Sequence, residues 1–336
     1  MRRLLQTRLN RRQAAALAAS LSLTTLTPLG RARPAAAAAN LTLVAYSTPR
    51  EAYDALIPLF QQTPAGKDVQ FQTSYGASGD QSRAVAAGLP ADVVAFSLAP
   101  DITRLVDAKL VADDWANDPF KGMVTDSVVV LGVRPGNPKG IEGWDDLVKA
   151  GVEVITPNPL TSGGARWNIM AAWGAQIKAG KTEEEATAWL GELFKHVPVQ
   201  DKSARESLQT FIGGEGDIII SYENEAITAK ANGEKLDWIV PGATILIENP
   251  IAVTTESQAP EQAKAFVDFL RSAPAQAVFA EKGYRPVLKA VTATPTAGAF
   301  PTPAHLFTID DLGGWPAVTK KFFDPDNGIV AKVQQR

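Results

Sequence analysis

The 336-residue sequence contains no cysteine. That absence excludes disulfide staples, thiol nucleophiles, thiolate metal sites and a lipidated N-terminal Cys. Histidine is nearly missing too: His196 and His305 lie too far apart to form a helix-spaced metal pair, so no metal and no other cofactor is expected. Serine hydrolysis lacks its G-x-S-x-G turn, and neither histidine sits in a segment resembling a catalytic loop, so no enzymatic role is expected. The phosphate cradles G-x-x-x-x-G-K-[ST] and G-x-G-x-x-G are also absent. Acidic residues are missing from one stretch only, residues 1–39, which hold seven arginines. Setting those aside leaves 26 of the 33 basic residues against all 36 acidic ones, a net charge of −10 over 40–336. Nucleic acid and anionic membranes, which need concentrated positive charge, are poor partners for such a chain. A small anion held by local dipoles is not excluded.

What is present begins with an address. Arg2, Arg3, Arg8, Arg11 and Arg12 precede an uncharged Ala- and Leu-rich stretch, 14–29, and the alanines at 35–39 supply small residues for cleavage. The apolar stretch is shorter than the ~20 residues that span a bilayer. Residues 1–39 therefore read as a cleavable export signal, with a mature chain beginning near Asn40, expected to be periplasmic and monomeric. The Arg11-Arg12 pair suits the twin-arginine route as well as the general secretory one, and the choice stays open.

The remaining chain exceeds what one core usually organises, so two domains are expected. Short runs favoured in strands lie at 41–45, 69–73, 92–96, 127–133, 152–155, 218–221 and 251–254. Between them, Ala186, Trp189, Leu190, Leu193 and Phe194 follow helical spacing, as do Ala263, Phe266, Val267 and Leu270. The alternation predicts an α/β fold with largely parallel sheets. Pro58 should kink or end a helix starting near Pro49, because it lacks the amide that would bond Asp54. No Pro-, Gly- or Ser-rich linker divides the chain. Extended segments at 128–138 and 245–254 instead predict two crossings between lobes, with lobe one at 40–126 and 250–336 and lobe two at 127–249. Two domains placed side by side would need only one crossing.

Four segments share a design in which a strand runs into small polar residues and a helix opens. They are Tyr46-Ser47-Thr48-Pro49-Arg50-Glu51, Gly76-Ala77-Ser78-Gly79-Asp80-Gln81, Thr161-Ser162-Gly163-Gly164-Ala165-Arg166 and Asp201-Lys202-Ser203-Ala204-Arg205. A helix start leaves amides unpaired and carries the positive dipole end, so each is a potential anion cradle. Taken singly, Ser78 and Ser203 read first as helix caps, Ser203 the more so. The Gly163-Gly164 pair says more, since two glycines in a first turn cost roughly 1 kcal/mol each relative to Ala, and close approach to a ligand would offset that. His196 reads as a charge complement at a helix C-terminus, and Glu183-Glu184-Glu185 as a solvated helix start.

With these segments aligned, the chain resembles the periplasmic sulfate-binding proteins of sulfate and thiosulfate ABC importers. The resemblance spans most of residues 40–336. It rests on Thr156-Pro157-Asn158-Pro159 followed by Ser162-Gly163-Gly164-Ala165-Arg166-Trp167-Asn168, and on Ala91-Asp92-Val93-Val94, Gly136-Asn137-Pro138-Lys139, Trp144-Asp145-Asp146-Leu147 and Tyr284-Arg285-Pro286. It implies a two-lobed type II periplasmic-binding-protein fold with two crossover segments, closing on a dehydrated oxyanion, and an ABC permease as partner. It places the anion against the amides of Ser78, Gly163, Gly164 and Ala204, the Ser162 hydroxyl and an amide of the first loop at Ser47, where the family commonly has Asp. Tyr222-Glu223-Asn224-Glu225-Ala226 stands where the family often reads Trp-Glu-Asn-Glu-Ala, so Tyr222 would offer a phenol in place of an indole. Without the resemblance, Tyr222 reads equally as a core aromatic bonded within the protein. Asp80 stands where a basic residue is common and reads as a first-turn acid. Arg50, Arg83, Arg166 and Arg205 are placed behind the loops, restraining them without touching the ligand. Receptors for phosphate, molybdate or a polyamine, and a secreted hydrolase, are the competing readings.

Overall fold

The computed structural model describes residues 39–292 and 300–334; the expected export signal, apart from Ala39, lies outside them. The first expected strand is β1 (Asn40–Tyr46), whose alternate residues feed an apolar core, and it leads into α1 (Arg50–Gln61). There follow β2 (Gln70–Gly76), α2 (Ser78–Ala86), β3 (Val93–Ala95), α3 (Ala99–Asp107) and the long β4 (Met123–Val133). Next come β5 (Val154–Ile155), α4 (Gly163–Lys178), α5 (Glu183–Lys195), α6 (Ala204–Ile212), β6 (Ile218–Tyr222), α7 (Glu223–Ala231) and β7 (Asp237–Ile239). The chain returns through the long β8 (Ala243–Val253) to α8 (Pro260–Leu270), α9 (Ala273–Glu281) and β9 (Arg285–Pro286), and closes with β10 (His305–Phe307), α10 (Gly314–Phe322) and α11 (Ile329–Gln334).

The strands join in the order β2-β1-β3-β8-β4-β6-β5. Parallel pairing, expected for most of the sheet, is found where β1 lies between β2 and β3 and where β5 lies beside β6. The long strands depart from it: β8 runs antiparallel to β3 and β4, and β4 antiparallel to β6. The cause is the double crossing. β4 has residues 123–128 beside β8 and 129–133 beside β6, while β8 has 246–250 beside β4 and 251–253 beside β3. Each therefore passes from one lobe of the type II fold to the other, and two passages in opposite senses pair antiparallel.

Of the four apolar clusters among the described residues, two are the largest. Leu41, Leu43, Tyr53, Leu56 and Phe60 pack with Phe266 and Phe279 of α8 and α9. Trp167, Met170, Trp173 and Leu190 of α4 and α5 pack with Ile218 and Ile220 of β6. Full burial of such side chains contributes about 1.5–3 kcal/mol each. The C-terminal segment joins the second core, with Trp315 edge-on to Trp167 at 4.7 Å and Phe322 edge-on to Trp173 at 4.9 Å. Pro58 does not end α1, which continues to Gln61. Asp54 and Pro58 both face solvent, so water can reach the carbonyl left unpaired, while buried Ala52, Tyr53, Leu56 and Phe60 hold the opposite face. His196 does follow the last turn of α5, and Glu183, Glu184 and Glu185 open that helix behind a Thr182 capping box.

Candidate functional site

The C-terminal ends of β1, β2, β3 and β6 lead into the loops that matter, the usual location of ligands in α/β sheets. In α4, Ser162 is the cap: its hydroxyl accepts the Ala165 amide at 3.2 Å, which leaves the hydroxyl proton free to donate. Gly163 and Gly164 are the first two helical residues, whose amides have no partner within the helix. In α6, Ser203 caps by accepting the Glu206 amide at 3.2 Å, and Ala204 is first. Ser78 is different. Ala77 occupies the cap position of α2, and the Ser78 hydroxyl donates to the Asp101 carboxylate at 2.6 Å while accepting the Ser97 amide at 3.0 Å. The capping reading of Ser78 is thus replaced: its side chain ties α2 to the loop after β3, and its amide is the group left at the helix start.

These helix starts converge on one small cavity, with room of about 10 Å³ for the centre of a water-sized sphere. All seven expected contact positions meet there: Ser47, Ser78, Ser162, Gly163, Gly164, Ala204 and Tyr222. Its wall contains no charged side chain. The wall also includes Tyr46, Thr48, Ala77 and Ser203, which belong to the quoted segments but are not among the expected contacts, and Ser97, which the sequence reading does not name. Four of them flank positions already singled out. Ser97 had a signal of its own, because Phe96-Ser97-Leu98-Ala99-Pro100 repeats the strand, small polar residue and helix design. The Tyr46 hydroxyl is buried without a hydrogen-bond partner among the described residues.

The glycine pair has a more specific cause than ligand approach alone. A Cβ on Gly163 would lie 2.6 Å from Leu98 Cδ2 and 2.7 Å from Ser97 Cβ and Oγ. One on Gly164 would lie 3.2 Å from Ala204 Cβ and 3.6 Å from Tyr222 Cε1. The first turn of α4 is pressed against the loop after β3, across the cleft. The same closure is seen where the Gly79 amide donates to the Thr161 carbonyl at 2.9 Å and the Trp167 indole donates to the Ser97 carbonyl at 2.8 Å. Tyr222, at the cap position of α7, is 1% exposed, and its hydroxyl lies 2.6 Å from Ser97 Oγ. Burial pushes the Tyr222 phenol well above its ordinary pKa, so it stays protonated.

A family model described as bacterial extracellular solute-binding protein matches residues 41–285. The sulfate-binding protein of Synechococcus elongatus is 43% identical over 304 residues, covering 88% of this chain and 87% of its own. The chain belongs to the sulfate-binding protein family. Among solved structures, the sulfate-binding protein SubI from Mycobacterium tuberculosis superposes with a TM-score of 0.82 at 46% identity, over 85% of this chain and 100% of its own. The thiosulfate-binding protein of Pseudomonas aeruginosa is 35% identical over 309 residues, 88% of this chain and 92% of its own. Members of this family are extracellular solute-binding proteins, and among the described residues no helix is long and apolar enough to cross a membrane.

Around the cavity of this family member, three of the four expected arginines hold backbone, and none of the four lines the wall. Arg83 pairs with Asp80 and donates to the Leu160 carbonyl at 3.0 Å, while Arg166 donates to the Pro159 carbonyl at 3.0 Å and lies over the Phe323 ring. Arg50 stacks over Tyr75 at 4.9 Å. Arg205 does most, donating to Glu225 at 2.8 and 3.0 Å, to Glu51 of α1 at 2.9 Å and to the Thr48 carbonyl at 3.1 Å. Burial alone would raise Glu51, but the Arg205 guanidinium outweighs it and holds that carboxyl below its ordinary pKa. Burial pushes Glu225 up, against the pull of Arg205. Among the described residues no cluster of three His, Cys, Asp or Glu could hold a metal ion.

Proposed function

We propose that the protein captures sulfate in the closed cavity and delivers it to an ABC permease, without chemical change to the anion. The observation that carries the reading is a wall of amides and hydroxyls with no charged side chain. A permanent dianion needs donors only. A protonated phosphate would need an acceptor for its proton, and no carboxylate lines this wall. Each helix start brings about half a positive charge and unpaired amides, and in a small space with little room for water these are screened less than in bulk solvent. Anion contacts are assigned to the amides at Ser47, Ser78, Gly163, Gly164 and Ala204, and to the hydroxyls of Ser162 and Tyr222. Arg50, Arg83, Arg166 and Arg205 are assigned to holding the surrounding loops.

The reading takes lobe one as 40–126 and 250–336 and lobe two as 127–249, except that the C-terminal segment carrying Trp315 and Phe322 reaches over to pack on α4 and α5 of lobe two. It places the mature, monomeric chain in the periplasm after removal of 1–39. A relative named for thiosulfate keeps that anion as a second ligand. Calorimetric titration of the mature protein with sulfate, thiosulfate, phosphate and molybdate tests the proposal. Saturable binding of sulfate in preference to phosphate is expected, and phosphate binding as tight as sulfate would overturn the donor-only argument.

A further inference from the structure

We propose that Ser97 is a further anion-binding residue of this site, acting with Tyr222 as a pair of hydroxyls that together present one shared proton to the bound anion. The proposal rests on the assignment of an oxyanion to the cavity and adds a contact that assignment does not contain. Both residues line the cavity and both are buried, at 1% exposure each. Ser97 Oγ and the Tyr222 hydroxyl are 2.6 Å apart, and either can be the donor. Each hydroxyl has one proton and spare lone pairs. One proton is therefore used between them, and one remains for the cavity. Either oxygen can carry it. If Ser97 donates to Tyr222, the phenol proton points to the anion; if Tyr222 donates to Ser97, the serine proton does.

The surroundings hold the serine in place for this role. Its amide donates to Ser78 Oγ at 3.0 Å, and its carbonyl accepts from the Trp167 indole at 2.8 Å and the Asn249 amide group at 3.0 Å. Its hydroxyl would stand 2.7 Å from a Cβ on Gly163, beside the first unpaired amides of α4. Ser97 and Tyr222 lie 125 residues apart and come from opposite sides of the cleft, so the bond between them forms only where the lobes meet. An indole at position 222 could only donate, whereas this pair keeps a donor at the anion when either hydroxyl is lost.

The test is a double-variant cycle read by sulfate titration at fixed ionic strength, using Ser97→Ala, Tyr222→Phe and the two combined. Each single change should weaken binding less than about threefold, because the remaining hydroxyl turns its proton to the anion. The double change should weaken it by about tenfold or more, beyond the product of the singles, as expected for one hydrogen bond to a charged group. Either single change matching the double, or a double no worse than the product of the singles, overturns the shared-proton pair. If the double variant does not fold by thermal melting, Ser97→Gly with Tyr222→Phe repeats the comparison. Ser162→Ala separates the two claims. Weaker sulfate binding there with a parent-like double variant defeats only the pair, whereas parent-like binding in both defeats the cavity assignment itself.

Discussion

Replacing Gly163 by Ala adds one methyl group at a close contact between the two sides of the cleft. Its Cβ would lie 2.6 Å from Leu98 Cδ2 and 2.7 Å from Ser97 Cβ. Carbon atoms pack at about 3.5–4.0 Å, so roughly 1 Å of separation must open. Leu98 and Ser97 are buried at 0% and 1% exposure and have no free space to retreat into. A hydrogen bond near 2.9 Å does not survive a retreat of about 1 Å. An anion bonded from both sides therefore loses contacts on one of them. A single such bond is worth roughly 1.5–3 kcal/mol, so sulfate affinity should fall about 10- to 150-fold. The helix itself gains, because Gly163 has ordinary helical backbone and Ala is favoured over Gly by up to about 1 kcal/mol. Calorimetry with sulfate, paired with thermal melting without it, separates the two effects. The expected result is weakened binding with an unchanged or raised melting temperature. Parent-like affinity would refute the claim that binding needs this degree of closure.

Ser162→Ala should lose both of that hydroxyl's roles: about 1 kcal/mol of stability as a cap in denaturant unfolding, and roughly 1.5–3 kcal/mol of sulfate affinity in titration. Arg205→Met leaves buried Glu225 without its partner and cuts the link to Glu51, so stability in denaturant unfolding should fall by about 3 kcal/mol or more, and an unchanged unfolding midpoint would remove this cluster from the account. At the crossing strands, Asp126 stands directly across from Glu248, and its carboxyl is pushed up to about 7, first by burial and then by Glu248, with Arg285 opposing. A carboxyl raised on folding contributes stability that is present at low pH and lost as pH rises through the folded value. The melting temperature contribution of this group should therefore fall as pH rises from about 4 to about 7, and Asp126→Asn should flatten that slope; an unchanged slope would remove Asp126 as its source.

The strands and helix starts were legible because they are written locally. The runs at 41–45 and 218–221 are branched and apolar, and Thr182, Ser162 and Ser203 stand before helices as caps do. The two crossings were legible as extended segments too long for one half of the sheet, but their antiparallel pairing was not, because it depends on the direction in which the chain returns. Pro58 misled for a related reason: its cost depends on whether water reaches the Asp54 carbonyl, a property of the folded surface. Gly163 showed that something approaches closely, yet only the fold shows that Ser97 and Leu98, over 60 residues earlier, are what approaches. Ser97 carries the same local pattern as the other four segments, standing between the strand run at 92–96 and the start of α3. Its bond to Tyr222 spans 125 residues, a relation that neither residue's neighbours encode.

The central claim is that a dianion is held between the helix starts by neutral donors. A crystal structure of the mature protein grown with sulfate as its only oxyanion tests it most directly. The account predicts one sulfate inside the cavity, its oxygens about 2.7–3.1 Å from the amides of Ser78, Gly163, Gly164 and Ala204 and from the Ser162 hydroxyl, with no side-chain cation in contact. A saturated protein whose sulfate sits elsewhere, or is clamped by Arg50, Arg83, Arg166 or Arg205, would contradict it.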